Sequence, residues 1–480
     1  MRIEIDGLAW LPKAELTDDN ISWLKDQLTL KQKISKEYER RSKGAIVELF
    51  KDDSERLGIP REFFFDKLTK NHEISYSVSR GQAWPERKVV PELAEVSGDD
   101  PTELLFYDVQ GKTPLQLRAE QITAVDSMML QLSSRPAAGG IIQSGTGTGK
   151  TILSFEVIRR LRLKTGVLVH REFVLNQWKK RLEQYMPDTK VGVIAGDTYQ
   201  VEDCHVVLIS IQTIVSWIRR NKITDELRNM FGLMISEECH RSPAPSWSAV
   251  IPIFNAAYRM GISAAPKRSD GLDKILFYHI GPKVYSGTTV LVPPKVRRVW
   301  SNYRLNHPRF NPSLMSMEHA FKIMSADPVY NQDVVDQIKL ALKAERKIFV
   351  YSHTVKHLQL LRSEIESQWK ERQIKIDYFI GGMTEDELAE AETADLIFGT
   401  FKMAIDSLDI PALDTIVLAG PIRNPQQPAG RACRPFPNKK QPIVVDMRAD
   451  NVPVFRDYAE SRDKAYQRLY GDDFLTKAKT

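Results

Sequence analysis

The stretch Ser144-Gly-Thr-Gly-Thr-Gly-Lys-Thr151 limits what this chain can become more than any other. Before it runs Gly139-Gly-Ile-Ile-Gln-Ser, which reads as a buried strand. After it, Thr151 to Leu163 has helical spacing. A chain that passes from strand through a glycine-rich turn into a helix is committed to an α/β layered architecture. Gly145, Thr146, Gly147, Thr148 and Gly149 let backbone N–H groups turn inward around a phosphate. Lys150 adds a point charge for the β- and γ-phosphates, and the Thr151 hydroxyl is a ligand for Mg²⁺. The helix that begins here aims its positive end at the same anion.

The surrounding sequence repeats one grammar twice. Val167-Leu-Val-His, Val206-Val-Leu-Ile-Ser and Leu233-Met-Ile-Ser are short apolar runs separated by helical stretches. The pattern returns in Lys347-Ile-Phe-Val-Tyr-Ser, Ile374-Lys-Ile-Asp-Tyr-Phe, Asp395-Leu-Ile-Phe-Gly and Asp414-Thr-Ile-Val-Leu. Alternating strands and helices imply crossover connections and parallel sheets. The expected architecture is α/β: two tandem parallel-sheet lobes, residues 106–300 and 301–445, of which only the first has a phosphate loop. A small α+β domain (1–105) precedes them, and a charged helical extension (446–480) follows.

Composition adds limits. At 480 residues the chain is too long for one ordinary domain, and its 42% hydrophobic content is that of a folded protein. No apolar run has the length of a membrane span. The cysteines, Cys204, Cys239 and Cys433, lie far apart without metal-ligand spacing, which suits a reducing cytoplasmic setting. A net charge of +6 permits a nucleic-acid partner without establishing one.

Downstream of the phosphate loop, Ile235-Ser-Glu-Glu-Cys-His240 ends an apolar run. A carboxylate there holds Mg²⁺ through water, and a second orients the attacking water for phosphoryl transfer. Glu237 takes the first role and Glu238 the second. Paired acids after a strand are common as a solvated strand end, and the phosphate loop upstream is what favours chemistry.

Glu-Glu-Cys-His is similar to the DExH box of superfamily 2 helicases, with Glu237 in the usual Asp place. Other blocks of that family follow in order. Arg118-Ala-Glu-Gln121 resembles the adenine-reading Q motif, and Val167 to Trp178 resembles motif Ia. Ile209-Ser-Ile-Gln-Thr213 resembles the next strand-contacting block, and Gly261-Ile-Ser-Ala-Ala-Pro-Lys-Arg268 resembles motif III. Phe349-Val-Tyr-Ser-His353 is similar to motif IV, Asp406-Ser-Leu-Asp-Ile-Pro411 to motif V, and Gln427-Pro-Ala-Gly-Arg-Ala-Cys-Arg434 to motif VI.

The resemblance implies two RecA-like lobes, with ATP and Mg²⁺ as cofactors. Arg118, Gln121, Gln427 and Asp409 would hold nucleotide, and Arg431 and Arg434 would serve as arginine fingers. His240 would couple the lobes. Arg171, Gln177, Thr213, Ser352 and Thr400 would contact strand phosphates, which position a strand without reading its sequence. Three departures stand out: Glu237 for Asp, Ala265 for the Thr or Ser of motif III, and Ser407 for the Gly of motif V.

Several segments, among them Gly58-Ile-Pro-Arg-Glu-Phe-Phe, resemble phage-type helicases of the UvsW kind. That implies ATP-dependent, 3′ to 5′ unwinding or branch migration of forked and Holliday-type DNA in replication, recombination and repair. DNA and the proteins of those processes are the expected partners, without a membrane and in the host cytoplasm. The N-terminal domain would read the substrate through Lys31, Lys33, Lys36, Arg40, Arg41 and Lys43, with Phe63, Tyr76 and Trp84 as stacking candidates. The alternatives are a duplex translocase subunit of a restriction-type complex and an RNA helicase.

Overall fold

A computed structural model of the chain describes residues 2–32, 46–69, 75–78, 105–107, 114–145, 148–240, 248–263, 272–287, 292–305, 316–407, 410–433, 436 and 438–471. The chain divides into two compact units, Met1–Thr288 and Thr289–Thr480. Among the described residues no helix is long and apolar enough to cross a membrane.

The first unit is organised by an eight-stranded sheet. Its order is Thr198–Gln200, Val191–Ala195, Val206–Ser210, Thr165–Val169, Leu233–Ser236, Tyr258–Ser263, Ala138–Ser144 and Lys283–Gly287. Every pairing is parallel except that of the edge hairpin Val191–Ala195 with Thr198–Gln200. Thr165–Val169 and Leu233–Ser236 are buried along their whole length, as expected for strands covered on both faces. Parallel strands end at one edge. Ser144, Val169, Ser210, Ser236 and Ser263 therefore deliver the segments that follow them to the same side of the sheet.

The same unit contains a second sheet of five strands, in the order Lys51–Asp52, Arg56–Ile59, Ala9–Pro12, Arg2–Ile5 and Ser75–Val78. It is joined to the large sheet by buried polar contacts. Arg61 is fully buried and donates to the carbonyls of Ala256 (2.6 Å) and Ala257 (3.0 Å). Arg259 reaches the other way, to the carbonyls of Gly7 (2.9 Å), Phe254 (3.1 Å) and His279 (2.9 Å). Burying two guanidinium groups is costly, and carbonyl acceptors offset that cost. Desolvation still pulls Arg61 down to about 10. Glu62 pairs with Arg135 beside them, and Phe63 packs edge-on against Tyr278 at 5.0 Å. Phe63 is thus core, the commoner place for an aromatic residue in such a domain, and not a base-stacking platform. These contacts tie the five-stranded sheet to the large one within the unit Met1–Thr288.

The second unit has a six-stranded parallel sheet. Its order is Lys295–Trp300, Ile443–Arg448, Thr415–Leu418, Ile348–Ser352, Leu396–Thr400 and Ile376–Phe379. Two expected boundaries move as a result. Lys295–Trp300 pairs with Ile443–Arg448, so the first lobe ends before residue 300 and the second sheet continues past 445. The charged C-terminal helix is present as Pro453–Tyr470, with proline in its first turn, where a missing N–H costs nothing. It is fastened by a buried ion cluster: Arg462 lies 2.8 Å from Asp446, and Arg448 bridges Asp446 (2.8 Å) and Asp463 (3.0 Å).

Candidate nucleotide site

The phosphate loop runs from strand Ala138–Ser144 into helix Lys150–Leu161. It is braced from within and from outside. The Ser144 hydroxyl donates to Thr148 Oγ1 at 2.6 Å, and Thr148 Oγ1 donates to the Gly145 carbonyl at 2.8 Å. From outside, Arg118 Nη2 (2.8 Å) and Gln121 Nε2 (2.9 Å) both donate to the Thr148 carbonyl. Gln121 Oε1 accepts from the Arg118 backbone N–H at 2.9 Å. The two residues expected to hold nucleotide thus also fix the loop's backbone. Gly149 adopts φ 81°, and a Cβ there would meet Gln121 Nε2 at 2.5 Å, so only glycine fits.

The acids arrive on strand Leu233–Ser236. Glu237 is buried at its end, and its N–H is held by the Leu168 carbonyl at 3.1 Å. Glu238 has φ 43°, a left-handed conformation that a non-glycine residue keeps only when its surroundings impose it. One Glu238 oxygen lies 3.4 Å from Lys150 Nζ, and the other lies 3.3 Å from His240 Nδ1. His240 Nδ1 is also 2.7 Å from Ser263 Oγ, at the end of strand Tyr258–Ser263. Lys150, Glu238, His240 and Ser263 therefore form a continuous polar chain across three strand ends. The Thr151 hydroxyl is buried and accepts from Arg181 Nη1 at 2.9 Å. A cradle that rejects a Cβ, a lysine at its mouth, and a hydroxyl with carboxylates at neighbouring strand ends suit a triphosphate with Mg²⁺.

Two of these partners are not legible in the sequence. Ser263 sits inside the block that resembles motif III, where nothing local marks its contact with His240. Arg181 carries no signal of its own, since an arginine in an amphipathic helix reads as solvent-facing.

The proposed strand contacts are placed unevenly. Arg171 precedes helix Glu172–Tyr185 and Gln177 lies within it; both are half-buried, and burial lowers the Arg171 pKa. Thr400 ends its strand, half-buried. Thr213 is buried and accepts from the Gly196 N–H at 2.8 Å, which makes it a brace for the edge hairpin. Ser352 is fully buried, 2.8 Å from His357 Nδ1, and His357 Nε2 lies 3.0 Å from Asn331 Oδ1. Ser352 therefore faces its own core and is not available to a strand. In the second unit Gln427 and Arg431 share helix Gln426–Ala432, both half-buried. Thr146, Gly147, Asp409, Arg434, Lys33, Lys36, Arg40, Arg41, Lys43, Trp84 and Ala265 lie outside the described residues, as do the side chains of Tyr76 and Ser407. Cys239 and Cys433 are buried, which pushes both thiols up, Cys433 to about 12, as packing residues would be.

Comparison with known proteins agrees with this geometry. Residues 114–268 match the family model described as "Type III restriction enzyme, res subunit". The "Putative ATP-dependent RNA helicase L396" of Acanthamoeba polyphaga mimivirus is 24% identical, covering 98% of this chain and 86% of that protein. The "DNA 3'-5' translocase XPB2" of Sulfurisphaera tokodaii is 28% identical over 36% of each chain. Among solved structures, S. cerevisiae Dbp5 bound to RNA and ADP BeF3 aligns with 75% of this chain and 93% of its own, at TM-score 0.50 and 13% identity. T4 UvsW aligns over 98% of both chains at TM-score 0.41 and 16% identity. A phosphate loop, an acid pair and a histidine–serine link are thus gathered at one edge of a RecA-like sheet, and the proteins this chain is similar to are named as helicases and a translocase.

Proposed function

We propose that the chain is an ATP-driven DNA helicase or translocase that unwinds or branch-migrates forked and Holliday-type DNA in the 3′ to 5′ direction. The observation that carries the ATPase part is the polar chain from Lys150 through Glu238 and His240 to Ser263. The backbone N–H groups of the phosphate loop and Lys150 bind the β- and γ-phosphates. Glu238 orients the attacking water and takes its proton. Thr151 and Glu237 would hold Mg²⁺, the latter through water, and the ion would supply charge neutralisation on the phosphate oxygens. Arg118 and Gln121 orient the base while bracing the loop. On the second lobe Gln427 and Asp409 complete nucleotide binding, and Arg431 and Arg434 stabilise the charge of the transferring phosphoryl group.

His240 and Ser263 connect the acid that handles water to the end of the neighbouring strand. A change at the γ-phosphate then reaches the segment that, in this family's order of motifs, handles the strand. Arg171, Gln177 and Thr400 remain the strand contacts. The described part of the N-terminal sheet module is not itself basic: residues 2–32, 46–69 and 75–78 hold twelve acidic and eight basic side chains. Duplex binding by this region therefore falls to the Lys31 to Lys43 segment.

DNA as substrate and the 3′ to 5′ direction are supported by the name of the XPB2 relative. RNA is the second reading, favoured by the name of the mimivirus relative, which spans nearly the whole chain. Strand displacement on forked DNA, blunt DNA duplex and RNA duplex decides between them. Preferred opening of the fork is expected. Preferred opening of the RNA duplex, or translocation on duplex without strand separation, would replace this assignment.

A further inference from the structure

Arg181 is not among the residues that a phosphate-loop ATPase is obliged to have, yet it holds the hydroxyl expected to face the metal. It lies on helix Glu172–Tyr185, the helix whose N-terminal end carries Arg171 and whose middle carries Gln177. Its Nη1 donates to Thr151 Oγ1 at 2.9 Å. Thr151 is buried, so water competes poorly for that oxygen. A hydroxyl oxygen has two lone pairs. As a Mg²⁺ ligand, Thr151 would share its hydroxyl oxygen between the guanidinium and a divalent cation. The two like charges repel in a place shielded from solvent.

We propose that Arg181 is a positioning residue that competes with Mg²⁺ for the Thr151 hydroxyl and so sets how much metal the nucleotide site requires. This rests on the nucleotide-site reading above. The guanidinium keeps Thr151 in one rotamer and must give way when Mg²⁺ arrives with nucleotide. Because the same helix carries two of the proposed strand contacts, a shift of that helix on binding nucleic acid would loosen Arg181 and lower the requirement.

The test measures binding, not turnover. Wild type, Arg181→Met, Arg181→Lys and Thr151→Val, all as the full chain, are titrated with Mg²⁺ in the presence of a fluorescent, non-hydrolysable ATP analogue. The midpoint of analogue binding is followed. Arg181→Met is expected to bind the analogue at about tenfold lower Mg²⁺, the scale of one charged hydrogen bond in a partly shielded site. Arg181→Lys keeps the charge without the fork and falls between. In the Thr151→Val background the Arg181→Met change produces no further shift in midpoint. An unchanged or higher Mg²⁺ requirement in Arg181→Met overturns the inference, as does an equal shift in the Thr151→Val background. If Arg181→Met does not fold, Arg181→Lys is read alone, and an unmoved midpoint there counts against the inference. Wild type that binds Mg²⁺–analogue while Arg181 variants match it sinks this inference alone. Wild type that binds no analogue sinks the nucleotide site and this inference with it.

Discussion

In the first unit, Ser263 and the segments following Ser144 and Ser236 send side chains toward one another, so that Lys150, Glu238, His240 and Ser263 touch in series. In the second unit, the matching strand end Ser352 turns inward, onto His357 and Asn331. Apart from the edge hairpin of the first, both sheets are parallel with buried central strands, and both bring their strand ends to one edge. The first unit uses that edge to hold reactive groups in a strained, polar arrangement, with Glu238 in a left-handed backbone. The second spends its first strand-end hydroxyl on a core network. A shared fold therefore does not imply a shared use of equivalent positions. What separates the units is whether a polar side chain at a strand end finds its partner within its own layer or across the edge.

The largest effect that sharpens this contrast is on hydrolysis. Lys150→Ala and Glu238→Gln should each lower nucleic-acid-stimulated ATP turnover at least about 10²-fold. Their thermal midpoints should stay near wild type, because neither group supports the core; a large fall in midpoint would assign them to stability instead.

Next is Arg61. Replacing it with Met removes the Ala256 carbonyl's side-chain donor and leaves the Ala257 carbonyl with the Ala138 N–H (3.2 Å), and should destabilise the first unit by about 2–4 kcal/mol in denaturant unfolding. A loss confined to the second unit's transition would show that the N-terminal sheet is not fixed in this way.

Acid should then affect both units alike. Burial holds His279 in the first unit and His357 in the second neutral, each lowered to about 3. A depressed folded-state value means that the stability is complete above about pH 6.5 and is lost as pH falls from there toward about 3. At pH 5 each histidine should account for about 2 kcal/mol of lost stability. Flat unfolding midpoints between pH 7.5 and pH 5 would contradict the burial of both rings.

Ser352→Ala is the smallest change. It should cost about 1–2 kcal/mol of stability and leave strand affinity unaltered. Thr400→Ala should do the reverse, weakening strand binding at unchanged midpoint. Equal losses of strand affinity in the two variants would return Ser352 to the strand path.

The contrast also shows where the sequence could be read. The glycine-rich turn, the acid pair and the ordered strands are local patterns whose physics fits in a few residues, so their elements sit where the spacing predicts. Partners far apart in sequence did not declare themselves. Lys295–Trp300 is half basic, and nothing local says that it is a strand paired with Ile443–Arg448. Arg61 and Arg259 look like surface residues until the carbonyls that receive them are known. The partners of Thr213 and Ser352 are not legible in sequence, because a hydroxyl at a strand end looks the same whether it faces a phosphate, a backbone N–H or a histidine. Arg181 was invisible for a related reason: its acceptor, Thr151, lies on another helix.

The most direct measurement is steady-state ATP hydrolysis by the purified chain with Mg²⁺ and forked DNA, run beside Glu238→Gln. The arrangement at the first sheet's edge requires turnover that rises with DNA and collapses in the variant. Wild-type turnover no faster than that of Glu238→Gln, with DNA present, would mean that these strand ends do not form a hydrolytic centre.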